Sequence, residues 1–170
     1  TGAELPKLIK IDNAGNIHIA GTFQTTVDFD PGAGVTNLTS NGGADIFIAK
    51  YDTDGNFIWA KSIGSGVSDD GGALAIDNSG NVYSCTYYSG TLDFDPGAGI
   101  SNLTSAGSFD LAVFKLDGNG DFVWAKSIGS TGNDRGHSID VDQFGDVYTT
   151  GYFDGTVDFD PGAGVNNLTA

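Results

Sequence analysis

Short runs of alternating apolar and polar residues, separated by turns rich in Asp and Gly, make up most of this chain. β-branched and aromatic residues are frequent in these runs, and helix signals are nearly absent, which indicates an all-β protein. In the middle of the chain the pattern predicts four strands, at 73–77 (ALAID), 81–88 (NVYSCTYY, continuing towards TLDFD), 110–117 (DLAVFKLD) and 121–128 (DFVWAKSI).

The predicted strands are joined by turns with the pattern D-x-x-G-[N/D]. In this pattern the Asp side chain can cap the turn, and Gly occupies a position that needs a positive φ. DTDGN at 52–56 and DGNGD at 117–121 begin like EF-hand loops, but both have Ile where that motif needs a Glu at its twelfth position. We therefore predict hairpin turns at both places.

The same segments return every 65 residues. TVDFDPGAG at 26–34 returns as TLDFDPGAG at 91–99 and as TVDFDPGAG at 156–164, and FIWAKSIGS at 57–65 returns as FVWAKSIGS at 122–130. Four antiparallel strands per unit, repeated at a period of tens of residues, are typical of propeller blades. The sequence thus predicts tandem four-stranded antiparallel β-propeller blades with a 65-residue repeat. A parallel β-helix usually has shorter rungs, and a β-sandwich needs no exact repeats.

With this period the chain divides into blade 1 at 1–65, blade 2 at 66–130 and the first half of blade 3 at 131–170. Propellers close with at least about four blades. We therefore expect a partial or open propeller, completed by further blades of the same chain or of other copies in a homo-oligomer or filament. The sequence contains no Met, even at position 1, which we interpret as a processed product or an excerpt of a longer protein.

The net charge of the chain excludes some kinds of binding partner from the expectation. The chain has 22 Asp and Glu against 7 Lys and Arg, a net charge of −15, so neither nucleic acid nor an anionic membrane surface is an expected partner. No apolar run is long enough to span a bilayer, and membrane insertion is not expected. Cys85 is the single cysteine and is predicted to be a small buried residue.

Paired carboxylates in the DFDPGAG segments are the candidate metal ligands. Two carboxylates before a Gly-rich turn could hold Ca²⁺, with carbonyls and waters completing six to eight oxygen ligands. Identical repetition favours a structural turn instead, in which Pro31 fixes φ, Gly32 and Gly34 take unusual backbone angles, and the carboxylates bond to loop amides. The pairs are Asp28 and Asp30, Asp93 and Asp95, and Asp158 and Asp160.

Other polar residues are expected to have ordinary roles. Asp69, Asp70 and Asp134 lie between units and could add to a cation site, but solvated loop residues are the favoured interpretation. His18 and His137 have no partner at metal-ligand spacing and are expected to be at the surface or half-buried.

Two further sets of residues recur on the predicted strands and loops, the N-L-T sequons and the tyrosines of the second strands. The N-L-T sequons are interpreted as loop geometry, and they contain Asn37, Asn102 and Asn167. The tyrosines of the second strands are expected to pack between blades, with stacking on a glycan as the alternative, and they are Tyr83, Tyr87, Tyr88, Tyr148 and Tyr152.

The combination of IDNSGNVY, TLDFDPGAG and FDLAVFKLDGNGDFVWAKSIG resembles the SBBP-type (seven-bladed) β-propeller repeat of bacterial proteins. The resemblance covers essentially the whole chain, although the chain is too short to close a seven-bladed ring. It implies a secreted location, extracellular or at the cell surface, and a binding or structural role. It provides no catalytic motif to transfer.

The expected function is therefore a non-enzymatic structural or interaction module, such as a surface, adhesion or self-assembling scaffold. A Ca²⁺-dependent or carbohydrate-binding module is the alternative, and a propeller hydrolase or lyase is a third hypothesis. An enzyme would need polar residues that depart from the repeat and converge at the propeller mouth. Residues that break the repeat, such as Cys85, Arg135 and His137, are the first positions to examine.

Overall fold

The computed structural model describes residues 4–170, and this part of the chain consists of β-strands joined by turns and loops. It contains no helix that could cross a bilayer. The strands are β1 (Glu4–Ile11), β2 (Ile17–Phe23), β3 (Thr26–Asp28), β4 (Asn37–Thr39), β5 (Asp45–Tyr51), β6 (Phe57–Ile63), β7 (Asp70–Ile76), β8 (Val82–Tyr88), β9 (Thr91–Asp93), β10 (Asn102–Thr104), β11 (Asp110–Leu116), β12 (Phe122–Ile128), β13 (Arg135–Val141), β14 (Val147–Tyr152), β15 (Thr156–Asp158) and β16 (Asn167–Thr169).

The strands form small sheets with antiparallel ladders. Sheet 1 has the order β1-β2-β5-β6, sheet 2 has the order β7-β8-β11-β12, and β13 pairs with β14 to form sheet 3. The last three strands of sheet 2 begin 65 residues after their counterparts in sheet 1. None of the described sheets is closed, and the arrangement is that of an open, β-propeller-like all-β fold.

The prediction that the second strands continue towards the DFDPGAG segments is wrong. Each segment begins with a three-residue strand that pairs with the following NLT strand, giving three separate arms: β3 with β4, β9 with β10, and β15 with β16. The chain leaves the sheet because Thr25, Gly90 and Gly155, one per repeat, have φ of 65°, 69° and 74°. Such left-handed backbone ends an extended strand.

Sheet 2 lies between the other two sheets and is buried on both faces. Alternate residues of β8 point to opposite sides, as the pleat requires. Val82 and Tyr88 pack in a core that includes Ile48 of sheet 1, whereas Tyr83 and Cys85 pack in a second core with Ile139 of sheet 3. Cys85 is fully buried, as predicted, and burial raises the pKa of its thiol to about 12.

Glycine brings the sheets into close contact. A Cβ at Gly71 of sheet 2 would lie 2.7 Å from Cγ2 of Ile46 in sheet 1, and a Cβ at Gly136 of sheet 3 would overlap Sγ of Cys85 in sheet 2. Neither glycine has a positive φ, so both are needed for space and not for backbone freedom.

Gly136→Ala therefore tests the contact between sheets 2 and 3. The added methyl group overlaps Cys85, and overpacking of a tight core typically costs about 1–3 kcal/mol in free energy of unfolding. Ser138→Ala, at an exposed position of the same strand, is the matched control. Urea unfolding of both variants checks the prediction, which is contradicted if Gly136→Ala is as stable as the control.

Candidate functional site

Five hairpin turns at one end of the sheets share one hydrogen-bond arrangement. In the first, Oδ1 of Asp12 accepts the N–H of Ala14 at 3.0 Å and of Asn16 at 2.8 Å. The Gly of each turn has a φ between +79° and +89°. The prediction for the D-x-x-G-[N/D] pattern is confirmed, including the two turns that begin like EF-hand loops. The turns are at 12–16, 52–56, 77–81, 117–121 and 142–146.

A buried histidine lies behind the first turn. His18 is fully buried, and its Nε2 is 3.2 Å from Oδ2 of Asp12. Burial lowers the pKa of His18. Burial alone would raise the pKa of Asp12, but hydrogen bonds from Asn16 and His18 hold it well below its usual range. The expectation of a surface or half-buried residue is therefore wrong for His18, whereas His137 is exposed.

Polar side chains beside this turn join sheet 1 to sheet 2. Lys50 Nζ lies 3.4 Å from Oδ2 of Asp12 and donates to the carbonyl oxygen of Gly118 at 3.3 Å. Trp59 Nε1 donates to the same carbonyl at 3.1 Å. Lys50, held by Asp12, and Trp59 thus connect sheet 1 to sheet 2, and Trp59 fills part of the space between them.

The DFDPGAG carboxylates are hydrogen-bonded to their own loops. Oδ1 of Asp28 accepts the N–H of Asp30 at 3.1 Å and of Thr36 at 2.8 Å, and Oδ1 of Asp30 accepts that of Gly32 at 2.7 Å. The same bonds recur in the other two repeats, around Asp93, Asp95, Asp158 and Asp160. These are the bonds that the structural-turn interpretation requires.

The glycines of this loop are needed for space and not for unusual backbone angles. Gly32 and Gly34 are absent from the glycines with positive φ, so the expected unusual backbone angles are wrong in that respect. A Cβ at Gly34 would overlap Oδ2 of Asp30, and the glycine is therefore needed for the close approach of that carboxylate. Across residues 4–170 no group of three or more His, Cys, Asp or Glu side chains is placed to hold a metal. Ca²⁺ at the Asp pairs stays a prediction.

Buried carboxylates at the opposite end of the sheets were missed. Asp45 opens β5 and is fully buried, and its Oδ2 accepts the N–H of Asn41 at 3.0 Å. Asp69 is 1% exposed, so the expectation of a solvated loop residue is wrong for it. Its Oδ2 accepts the N–H of Ser65 at 2.7 Å, and its own N–H donates to the carbonyl of Ala44 at 2.7 Å. The sequence signal for this bond was Ser65, which lies four residues before Asp69.

The same arrangement recurs one repeat later. Asp110 Oδ2 accepts the N–H of Ala106 at 3.0 Å, and Asp134 Oδ2 accepts that of Ser130 at 2.7 Å. Asp134 is also buried, which corrects its expected solvation. Burial raises the pKa values of three of these carboxyl groups, Asp45, Asp69 and Asp110.

A cleft of about 320 Å³ lies beside Asp69, at the ends of β1, β7 and β13, and we call it the junction cleft. Lys7 forms an ion pair with Asp70, and the hydroxyl of Tyr87 donates to Asp70 Oδ2 at 2.6 Å. Arg135 stacks with its Cζ 4.4 Å from the Tyr87 ring centroid and 4.8 Å from that of Phe109. Asp69 also lines the cleft, and Asp70 is half-buried rather than fully solvated.

Several side chains of the junction cleft depart from the 65-residue repeat, although Tyr87 recurs as Tyr152 and Asp69 as Asp134. The repeat places Leu5 and Arg135 at the position of Asp70, Thr22 at that of Tyr87, and Ala44 at that of Phe109. Arg135 was singled out in the sequence as a residue that breaks the repeat, but only the structure brings it together with the other members of the cleft.

The five tyrosines divide between core and surface. Tyr83 and Tyr88 are buried between sheets, as the packing interpretation expected. Tyr148 and Tyr152 are 59% and 44% exposed, so packing between sheets does not describe them here. Stacking of a glycan on these two rings stays a prediction.

Comparison with known proteins supports the repeat architecture. Residues 123–156 match the family model of the SBBP β-propeller repeat, which confirms the resemblance. The chain is also similar to an uncharacterized WD repeat-containing protein of Acanthamoeba polyphaga mimivirus, with 27% identity over 86% of this chain and 12% of the relative. It has 27% identity with the regulatory protein FlaEY of Caulobacter vibrioides, over 88% of this chain and 16% of the relative. The chain thus spans less than a fifth of either relative.

Asp93→Ala should destabilise the protein without any metal. The substitution removes an acceptor for the N–H groups of Asp95 and Ser101, at 3.0 and 2.8 Å, and a loss of about 1 kcal/mol is expected in chelator-treated protein. Asp93→Asn keeps an oxygen at that place and should lose less. Thermal unfolding with and without Ca²⁺ checks both variants, and a wild-type melting temperature that rises with Ca²⁺ would favour the metal site instead.

Asp69→Asn should change the pH dependence of stability. The folded-state pKa of Asp69 is raised, so the native state binds this proton more tightly than the unfolded chain. Its contribution to stability therefore falls as pH rises from about 4 through the raised pKa. The free energy of unfolding of Asp69→Asn, relative to that of the wild type, should therefore increase between pH 4 and pH 7. Asp54→Asn, the control in an exposed turn, should show no such increase. Urea titrations at several pH values decide this, and equal pH profiles for the two variants would contradict it.

Proposed function

Because residues 123–156 carry an SBBP β-propeller repeat, we propose that this chain is a non-enzymatic interaction module built from four-stranded β-propeller blades. The blades would be 1–65 and 66–130, with sheet 3 as the first half of a blade at 131–170. The location we propose is extracellular or at the cell surface, which rests on the resemblance to secreted SBBP proteins.

One observation carries the proposal. Polar side chains that recur with the repeat are hydrogen-bonded within the scaffold, as in the Asp turns and the DFDPGAG loops. Polar and aromatic side chains that depart from the repeat converge on the junction cleft. A rigid scaffold with one divergent surface is typical of proteins that present a binding site, because function is concentrated where the scaffold does not constrain the sequence.

The relatives support a role in interaction. WD repeats form β-propellers, and one relative is named for WD repeats and another as a regulatory protein. Neither name implies an enzyme. For this chain we propose that a propeller surface contacts other macromolecules.

The outer edge of β14 favours a second element of the proposal, completion of sheet 3 by another strand. Within residues 4–170, β14 pairs only with β13, and a cleft of about 350 Å³ beside it is lined by Phe153, Val157, Phe159 and Leu168. An unpaired edge beside apolar side chains is a template for strand pairing. In sheets 1 and 2 that place is taken by β5 and β11, so we propose that a strand of the same type, from the same chain or another copy, occupies it.

Site-specific photo-crosslinking tests both elements. A photoreactive residue at exposed position 137, next to the junction cleft, should capture a foreign macromolecule in cells that make the protein. One at exposed position 149 on β14 should capture a further propeller strand, and one at position 54 in the β5–β6 turn is the control. Mass spectrometry of the adducts identifies each product. Equal and diffuse labelling at the three positions would contradict the proposed function.

A further inference from the structure

The junction cleft contains a cation without an acidic partner. Arg135 is the single arginine of the chain, and all 22 acidic residues lie within the described segment. The ion pairs of that segment involve Lys7, Lys50, Lys61, Lys115 and His18, but not Arg135. Lys10 and Lys126 also form no ion pair within residues 4–170, but both are exposed, whereas Arg135 is half-buried.

The guanidinium is also short of hydrogen-bond partners. Nε of Arg135 is buried and has no partner among residues 4–170. A donor removed from water without an acceptor is unfavourable, and the cost is greater for a charged group. The half-buried side chain is held over Tyr87 and Phe109, so its conformation is fixed before any ligand binds.

The aromatic contacts of the guanidinium do not occupy its N–H donors as hydrogen bonds would. Its Cζ lies 4.4 and 4.8 Å from the ring centroids of Tyr87 and Phe109, and such a cation–π contact uses the positive charge but none of the N–H donors, which lie in the guanidinium plane. A carboxylate matches the edge of that plane because its two oxygens can accept two parallel N–H bonds. The positive charge of Lys7, the other cation of the cleft, is already compensated by Asp70, so Arg135 is the residue available to an anion.

The surroundings favour a peptide over an acidic sugar. The guanidinium covers ring faces of Tyr87 and Phe109, and those faces are not offered to a sugar ring. Arg and Tyr are also the residue types enriched where protein partners bind most tightly. Exposed His137 and Tyr152, with ring centroids 5.5 Å apart, flank Arg135 on β13 and β14 and extend the surface beyond the cleft.

We propose that Arg135 is the carboxylate-binding residue of the junction cleft, and that the partner is a protein segment that presents an acidic side chain or its C-terminal carboxylate. The inference deepens the proposed function and rests on it. Tyr87 and Phe109 are positioning residues, since they orient the guanidinium and do not themselves contact the carboxylate.

The single arginine makes the test direct, because its Nε–H gives one NMR signal in the ¹⁵N-labelled protein. The probes are acetyl-Gly-Glu-Gly-amide and its Gln analogue, which differ in the carboxylate alone. The Glu peptide should shift the Arg135 signal and the backbone amides of residues 87 and 109 to saturation, and the Gln peptide should not.

Two variants separate recognition from charge. Arg135→Lys keeps the positive charge but loses the planar donors, and binding of the Glu peptide, followed at the amides of residues 87 and 109, should weaken about tenfold or more. Lys126→Gln, which removes an exposed cation of β12, should leave binding unchanged. Unchanged spectra away from the cleft verify that Arg135→Lys is folded.

The outcomes distinguish this inference from the proposed function. Equal shifts with both peptides, or equal loss of binding in both variants, would overturn the role of Arg135. Glucuronate that binds more tightly than the Glu peptide would overturn the choice of a peptide partner. Crosslinks at position 137 without a Glu-dependent shift would remove this inference and leave the interaction role standing. The shift without crosslinks would contradict the interaction role, and with it the protein partner, and would leave only carboxylate binding at Arg135.

Discussion

Each sheet of this protein is stable only because its neighbour covers it. Four short strands bury little apolar surface by themselves, and sheet 2 has both faces covered, by Ile48 and Trp59 of sheet 1 on one side and Ile139 of sheet 3 on the other. Glycines at the contact, such as Gly71 and Gly136, allow the approach. Because every contact between sheets must have the same geometry, the residues that make it recur at a fixed period.

The same constraint explains where the charges lie. Loops that must turn in the same way in each repeat use Asp as a hydrogen-bond acceptor, and most of the negative charge of the chain is in such turns and arms. Where Asp45 and Asp69 are buried at a junction, each keeps one oxygen on a backbone N–H and leaves the other without a partner. Four lysines pair with other carboxylates, namely Asp70, Asp12, Asp121 and Asp77. Lys10, Lys126 and Arg135 form no ion pair within residues 4–170, and of these three Arg135 is half-buried.

Periodicity made much of the fold predictable. The 65-residue repeat and the alternation of strands such as 122–128 gave the all-β class, the antiparallel sheets and the hairpin turns, because these depend on local pattern. The arms were not predicted, since a single left-handed residue such as Thr25 decides that the chain leaves the sheet. The junction cleft was not predicted either, because its members are far apart in the sequence and come together only through packing of the sheets. Burial of Asp69 and His18 was missed for the same reason.

Near-identical hairpins also affect how the chain reaches this fold. The segments FIWAKSIGS and FVWAKSIGS, at 57–65 and 122–130, differ at one position, so either could pair with β5 or β11 at nearly the same free energy. Side-chain chemistry does not distinguish the correct neighbour, and the short turns at 52–56 and 117–121 must do so by holding each strand beside its partner. Lengthening either turn would weaken that selection and promote exchange of strands between molecules, a characteristic misfolding route of tandem repeats.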